Sequence, residues 1–198
     1  IKALHKKYAG TSKVHYSDIA REKREILRKI FDANYTQLNR NVALSKWIEA
    51  NPWVKPYAVY AMLKEKNGEA SWRSWSEDRD PTALRISALL RKSHKDALFQ
   101  CWMQFEAEAQ FKVASNKLTE MGIRIKGDIP ILINEDSADV WCNRQYFSLD
   151  DRAGAPPDMY SYSGQNWGFP TYRWDVLEQE NFKWWRDRLA QASKFYHA

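Results

Sequence analysis

The stretch from Gly122 to Trp174, GIRIKGDIPILINEDSADVWCNRQYFSLDDRAGAPPDMYSYSGQNWGFPTYRW, limits what this chain can fold into more than any other part. It opens on a short apolar run, Ile123 to Ile131, interrupted by Lys126, Gly127 and Asp128. Beyond that run lie roughly forty residues rich in Asp, Gly, Pro, Ser and aromatics, without helical or alternating period, and a loop of that length inside a compact domain is either functional or disordered. Its density of rings argues against disorder, because disordered segments are poor in aromatics. The expectation is an ordered, ring-lined loop that follows a buried strand whose last residues include the carboxylate Asp128.

The rest of the chain reads as helices. Ser17 is a candidate N-cap for a helix running to about Ala33, with Ile19, Ile26, Leu27, Ile30 and Phe31 on one face. Lys23, Arg24 and Arg28 fall off that stripe and form a solvated basic face. A second helix fits Val42 to Ala50, stopped by Asn51-Pro52. A third begins at Pro56, presents Tyr57, Tyr60, Leu63 and Lys64 at helical spacing, and stops at Asn67-Gly68. Trp72 and Trp75 sit in a connection and read as core. Asp80-Pro81 opens another helix toward Arg91. From about Ser93 to Met121 a long helix places Leu98, Trp102, Phe105 and Ala109 on one face, and Gly122 ends it. His94, near its start, reads as structural or exposed. After the long loop, Asp175 and Glu178 form a capping box for a helix burying Phe182, Trp185, Leu189 and Ala192. Lys194 to Ala198 reads as the opening of a further strand. Helix, glycine, then a β-branched run is the cadence of an α/β protein with parallel strands.

Composition removes several function classes. The chain has 198 residues, enough for one domain with a real core. No apolar run approaches the roughly 20 residues that span a bilayer, and the first residues hold no apolar signal-peptide core. Cys101 and Cys142 have neither zinc-ligand nor CxxC spacing, so free thiols in a cytoplasmic protein are expected. The net charge of +6 comes entirely from residues 1–30, with nine Lys/Arg against three Asp/Glu, and the remainder carries 22 of each. A nucleic-acid site more often places its basic stripe with its aromatics, and here they are apart. No P-loop, GxGxxG, HExxH, Cys/His cluster or GxSxG elbow occurs. Asp136 and Asp139 lack calcium-loop spacing. Neither metal nor cofactor is expected.

Two places suit binding chemistry. In parallel barrels, residues at the C-terminal ends of strands build the site, and Asp128 would occupy such an end unless it caps its own turn beside Pro130. The second is Pro156 to Gly168, where Asp158, Tyr160, Ser161, Tyr162, Gln165 and Trp167 stand between stiffening prolines and glycines. A carboxylate, an amide, hydroxyls and flat rings are what a sugar requires, and the ten tryptophans of the chain fit both sugar stacking and core packing. A self-packed Ω-loop would have the same composition, so both readings stay open on composition.

The segments GIRIKGDIPILINEDSADVW and GAPPDMYSYSGQNWGFPTYRW resemble the 4-α-glucanotransferases of glycoside hydrolase family 77, the amylomaltases or disproportionating enzymes. VHYSDIAREKREILRKIF and WVKPYAVYAMLK resemble that family's helical insertion. Phe169, in GQNWGFPTYRW, looks most like the subgroup of plant cytosolic and large bacterial enzymes. The resemblance implies an α/β fold, part of a (β/α)8 TIM barrel with a mainly helical insertion subdomain. Residues 1–121 would be that insertion, and 122–198 a barrel segment holding strand three, the substrate loop, a helix and the start of strand four. It implies transfer of α-1,4-glucan segments between sugars with retention. It also implies roles in substrate binding: Asp128 beside the donor sugar, and Asp158, Tyr160, Ser161, Gln165 and Trp167 on a loop arching over the cleft. Tyr162 stands where the family varies. Asp136, Ser137, Asp139 and Trp141 would hold the loop base. The family's nucleophile, in an Arg-x-Asp-His motif, and its acid/base Glu would follow Ala198, so no catalytic residue is assigned here. The expected partners are α-1,4-glucan oligosaccharides and the remainder of the parent barrel, with no nucleic acid and no membrane. A non-catalytic carbohydrate-binding module is the alternative, and a helical nucleic-acid or scaffold protein built on the basic first helix is a more distant one.

Overall fold

Helix α6, His94–Glu120, is the longest element, and the helices between residues 16 and 92 pack on it. The computed structural model describes residues 2–10 and 12–198; Ile1 and Thr11, within the expected helical part, lie outside that description. Before α6 come α1 (Lys2–Tyr8), α2 (Tyr16–Leu38), α3 (Val42–Ala50), α4 (Val54–Lys66), a 3-10 turn at Trp72–Ser74 and α5 (Ala83–Lys92). After it come α7 (Ala138–Cys142), β1 (Phe147–Ala155), β2 (Gln165–Tyr172), α8 (Trp174–Gln179) and α9 (Lys183–Ala192). Asn41 caps α3 through Leu44 N–H, and Thr82 caps α5 through Arg85 N–H. Gly122, at φ 76°, closes α6 while Ile123 N–H donates to Leu118 C=O, the left-handed stop that glycine tolerates.

The core is built from rings and draws on both sides of Gly122. Val59, Tyr60 and Leu63 of α4 pack with Trp72, Trp75 and Leu89, and equally with Val140, Trp141, Tyr146, Phe147, Leu177 and Trp184. Trp141 lies against Tyr60 and Trp75, with centroids 5.6 and 6.2 Å away. Buried indoles require partners for their N–H groups. Those of Trp72, Trp75 and Trp141 donate to the carbonyls of Glu135, Ala70 and Asp78 at 2.7, 3.0 and 2.8 Å. A second cluster joins Phe31, Leu44, Leu98, Phe99 and Trp102. Cys101, buried in a third, has its thiol pushed up to about 11 by that burial.

Several expectations change on this structure. α2 is capped at His15, not Ser17, and continues past Ala33 to Leu38. On its expected inner face only Phe31 is buried; Leu27 and Ile30 are exposed. On α6, Leu98 and Trp102 are buried but Ala109 faces solvent, because the buried side shifts to include Ala97, Phe99 and Cys101. The expected last helix is two helices. Asn181 and Phe182 both take positive φ, which breaks it, and no side chain caps α8. The break rotates the buried face, so Leu177 and Trp184 are inside while Phe182 and Leu189 are exposed.

The largest differences lie around the organising stretch. Ile123–Ile131 is extended but forms no assigned strand, and Ile131 is 71% exposed. Apart from the Ile123–Leu118 bond that ends α6, its backbone pairs, among the described residues, with the end of the chain. His197 N–H donates to Ile125 C=O at 2.9 Å, and Gly127 N–H donates to Ala198 C=O at 2.8 Å. The two segments run the same way. The ring of Tyr196 covers Gly127, where a Cβ would lie 2.3 Å from it; only glycine leaves room. The single sheet among the described residues is antiparallel, β1 with β2. The long loop is therefore a β-hairpin.

Candidate functional site

The hairpin is rooted in the core and free at its tip. Its register pairs Phe147 with Tyr172 at the root and Ala155 with Gln165 near the tip, with irregularities on either side of Arg152. Pro170, which cannot donate to a ladder, sits opposite Arg152 between those shifts. At the far end, Gly154 and Gly164 allow the strands to approach. A Cβ on Gly154 would lie 1.9 Å from the carbonyl oxygen of Gln165, and Gly164 takes φ 70°.

Five of the six expected binding residues share this tip. Asp158 Oδ1 accepts from the N–H groups of Tyr160 and Ser161, both at 2.8 Å. Ser161 Oγ donates to Gly164 C=O at 2.8 Å. Trp167 Nε1 donates to Gln165 Oε1 at 2.9 Å. The tip is thus internally braced, as a self-packed loop would be. Its rings nevertheless face outward, Tyr160 at 87%, Tyr162 at 93% and Trp167 at 48% exposure. A braced backbone carrying exposed rings beside an amide and a carboxylate is a rigid contact surface. Preorganisation of this kind lowers the entropic cost of binding.

Asp128 is placed elsewhere. It lines a groove of about 670 Å³ between the extended segment, the start of α4 and α9. Trp53, Tyr57, Asp139, Trp184, Arg188 and Tyr196 are among its other walls, and no residue of the hairpin tip lines it. Sequence reading did not anticipate this groove, because its walls come from segments far apart in the chain. Asp139 has its carboxyl pushed above the ordinary value by burial, against the pull of Arg188 and the Trp184 indole. Arg188 lies over the rings of Trp184 and Trp185, at 4.7 and 4.8 Å, and donates to Pro130 C=O at 2.9 Å.

The loop base between groove and hairpin is a polar knot. Asp136 accepts from Lys64 Nζ at 2.5 Å, Tyr60 OH at 3.0 Å and Trp72 N–H at 3.2 Å. Burial alone would raise its carboxyl, but these three donors outweigh it and hold the group below the usual carboxylate value. Ser137 caps α7 through Val140 N–H. The expected holding role of Asp136, Ser137 and Trp141 matches these contacts.

Asp136 gives stability a defined pH dependence. A lowered carboxyl stabilises the fold fully above its unfolded value and loses that contribution as pH falls through the folded one. Asp136→Asn is therefore expected to cost about 1–2 kcal/mol at pH 7, a charged hydrogen bond discounted for partial exposure. Urea midpoints of variant and parent should converge as pH drops toward 3. Asp139, raised rather than lowered, runs the opposite way in both proteins and cancels in the difference.

Among the described residues no three His, Cys, Asp or Glu side chains gather to hold a metal ion. No helix of the described residues is long and apolar enough to cross a membrane.

Comparison with known proteins covers the whole chain. Residues 1–198 match the family model Glyco_hydro_77, described as 4-alpha-glucanotransferase. Among curated relatives, a 4-alpha-glucanotransferase of Oryza sativa subsp. japonica is 29% identical over 98% of the chain, which spans 21% of that protein. The 4-alpha-glucanotransferase of Clostridium butyricum is 35% identical over 92% of the chain and 39% of its own length. That of Thermus thermophilus is 40% identical over 73% of the chain and 30% of its length. Among solved structures, amylomaltase from Streptococcus agalactiae in complex with acarbose superposes with a TM-score of 0.82 at 25% identity, covering 98% of this chain and 43% of that one. The chain thus spans about a fifth to two-fifths of the curated relatives it matches.

Proposed function

Because the chain belongs to the 4-alpha-glucanotransferase family, glycoside hydrolase family 77, we propose that it is the glucan-gripping portion of an enzyme that moves α-1,4-glucan segments or glucosyl units from a donor oligosaccharide to an acceptor sugar. In this reading the transfer proceeds with retention, through two carboxylates roughly 5–5.5 Å apart supplied from outside these residues. The extended segment 123–131 is one strand of a (β/α)8 barrel. Residues 1–121 are its helical insertion, and 122–198 the barrel segment. The same-direction pairing of residues 125–127 with 197–198 supports a parallel neighbour there. Asp128, Asp158, Tyr160, Ser161, Gln165 and Trp167 hold substrate.

The observation that carries this reading is the braced hairpin tip with its exposed rings. Single exposed apolar residues are ordinary, but a cluster of them marks an interaction site. The acarbose complex of the streptococcal amylomaltase is consistent with a glucan-like ligand for the family. The test is transfer from maltotriose by the full-length protein, read as glucose and longer maltodextrins. The 198-residue chain alone is expected to bind maltoheptaose without turnover. Binding with no transfer even by the full-length protein would favour a carbohydrate-binding module. Trp167→Ala is expected to weaken maltoheptaose binding about 2–10-fold, from a ring contact worth about 0.5–1.5 kcal/mol; isothermal titration reads this directly.

A further inference from the structure

The groove holding Asp128 and the hairpin tip are separate surfaces, yet each strand of the hairpin is tied to the segment that follows Asp128. On β2, Tyr172 OH donates to Ile131 C=O at 2.7 Å. Its ring is wedged among Phe147, Trp174 and Trp185, with centroids 5.3, 5.0 and 5.3 Å away. The neighbouring carbonyl, Pro130, accepts from Arg188 at 2.9 Å. On β1, Arg152 Nη2 donates to Glu135 Oε2 at 2.7 Å, and Arg152 Nη1 donates to Leu149 C=O at 2.5 Å. Arg73 pairs with the other oxygen of Glu135. The Glu135 side chain is mostly buried, which strengthens both ion pairs relative to a solvated one. Residues 130–136 are therefore fastened to α9, to α4, to the 3-10 turn, and to both hairpin strands.

We propose that Tyr172 and Arg152 are positioning residues that lock the hairpin to segment 130–136, so that Asp128 and the ring-bearing tip keep one fixed separation. They touch no substrate. They hold two substrate-facing surfaces in register across the gap between them. For its kinetic consequence this rests on the glucan-transfer reading above; its mechanical content does not.

The mechanical content is tested in this chain by spin labels at the exposed positions Lys126 and Ser163, in a background with Cys101 and Cys142 replaced by alanine. A single narrow distance distribution is expected, broadened by Tyr172→Phe together with Arg152→Gln. A broad distribution in the parent, or an unchanged one in the double variant, would overturn the proposal. Tyr172→Phe removes one hydroxyl and keeps the ring, so folding is expected to survive. The kinetic consequence is tested in the full-length protein with maltotriose. Tyr172→Phe is expected to lower kcat/KM about 2–10-fold, the size of one hydrogen bond. The same change is expected to cost less once Trp167 is alanine, because the tip then presents one ring fewer to misplace. Equal costs in both backgrounds would show Tyr172 acting on stability alone and overturn the positioning role. Absence of transfer by the parent would instead overturn the function reading, leaving the distance measurement to decide this one.

Discussion

Trp141→Ala is expected to remove about 3–5 kcal/mol of stability, the upper range for deleting a buried aromatic. Trp141 is fully buried, touches Tyr60 and Trp75, and donates its indole N–H to Asp78 C=O. Truncation therefore opens a ring-sized void and leaves that carbonyl without its donor. Total stabilities are only about 5–15 kcal/mol, so the loss approaches unfolding at physiological temperature. Trp141→Phe separates the two terms. It keeps most of the volume and loses the hydrogen bond, and about 1–2 kcal/mol is expected. Urea denaturation followed by far-ultraviolet circular dichroism gives both values. A Trp141→Ala protein with an unchanged midpoint would show that the shared ring cluster does not hold the two parts together.

The second large effect is local. Gly154→Ala would place a methyl 1.9 Å from the carbonyl oxygen of Gln165, far inside van der Waals contact and against backbone that cannot swing away. Overpacking costs about 1–3 kcal/mol when neighbours can shift, and here the strands themselves must part. The tip is exposed and contributes little core, so the thermal midpoint is expected to move by only a few degrees, about the shift that 1 kcal/mol causes in a domain of this size. The loss concentrates where the strands separate. Amide exchange at Ala155, Gln165 and Asn166 is expected to rise at least tenfold, and maltoheptaose affinity to fall below detection with the rings no longer held. Retained affinity in Gly154→Ala would place glucan contact somewhere other than this tip.

The sequence was most legible where periodicity ran unbroken. α3, α4 and α6 fall within a residue or two of their expected limits, because capping residues, prolines and glycine stops are local signals. The hairpin stayed hidden because its ladder is irregular. Shifts on both sides of Arg152, with Pro170 opposite, destroy the alternation that marks a strand. The extended segment failed the other way. Its isoleucines resembled a buried strand, but the pairing that buries a parallel strand comes from distant chain, and here residues 197–198 supply two hydrogen bonds. The tip residues could be singled out as candidates in the sequence because their chemistry is local. The groove beside Asp128 was not found, since Trp53, Asp139 and Arg188 meet only after folding.

The ring cluster also fixes an order of events. Tyr60, Trp72 and Trp75 emerge from a ribosome long before Trp141, Phe147 and Trp184, which complete their packing. Domains form as units during synthesis once their contacts are available. The Phe31–Phe99 cluster has all its members by Trp102 and can consolidate at once. The larger cluster must stay open until Trp184 has been made, leaving Val59, Tyr60, Leu63, Trp72, Trp75 and Leu89 unshielded on the nascent chain, the interval in which a chaperone has something to hold.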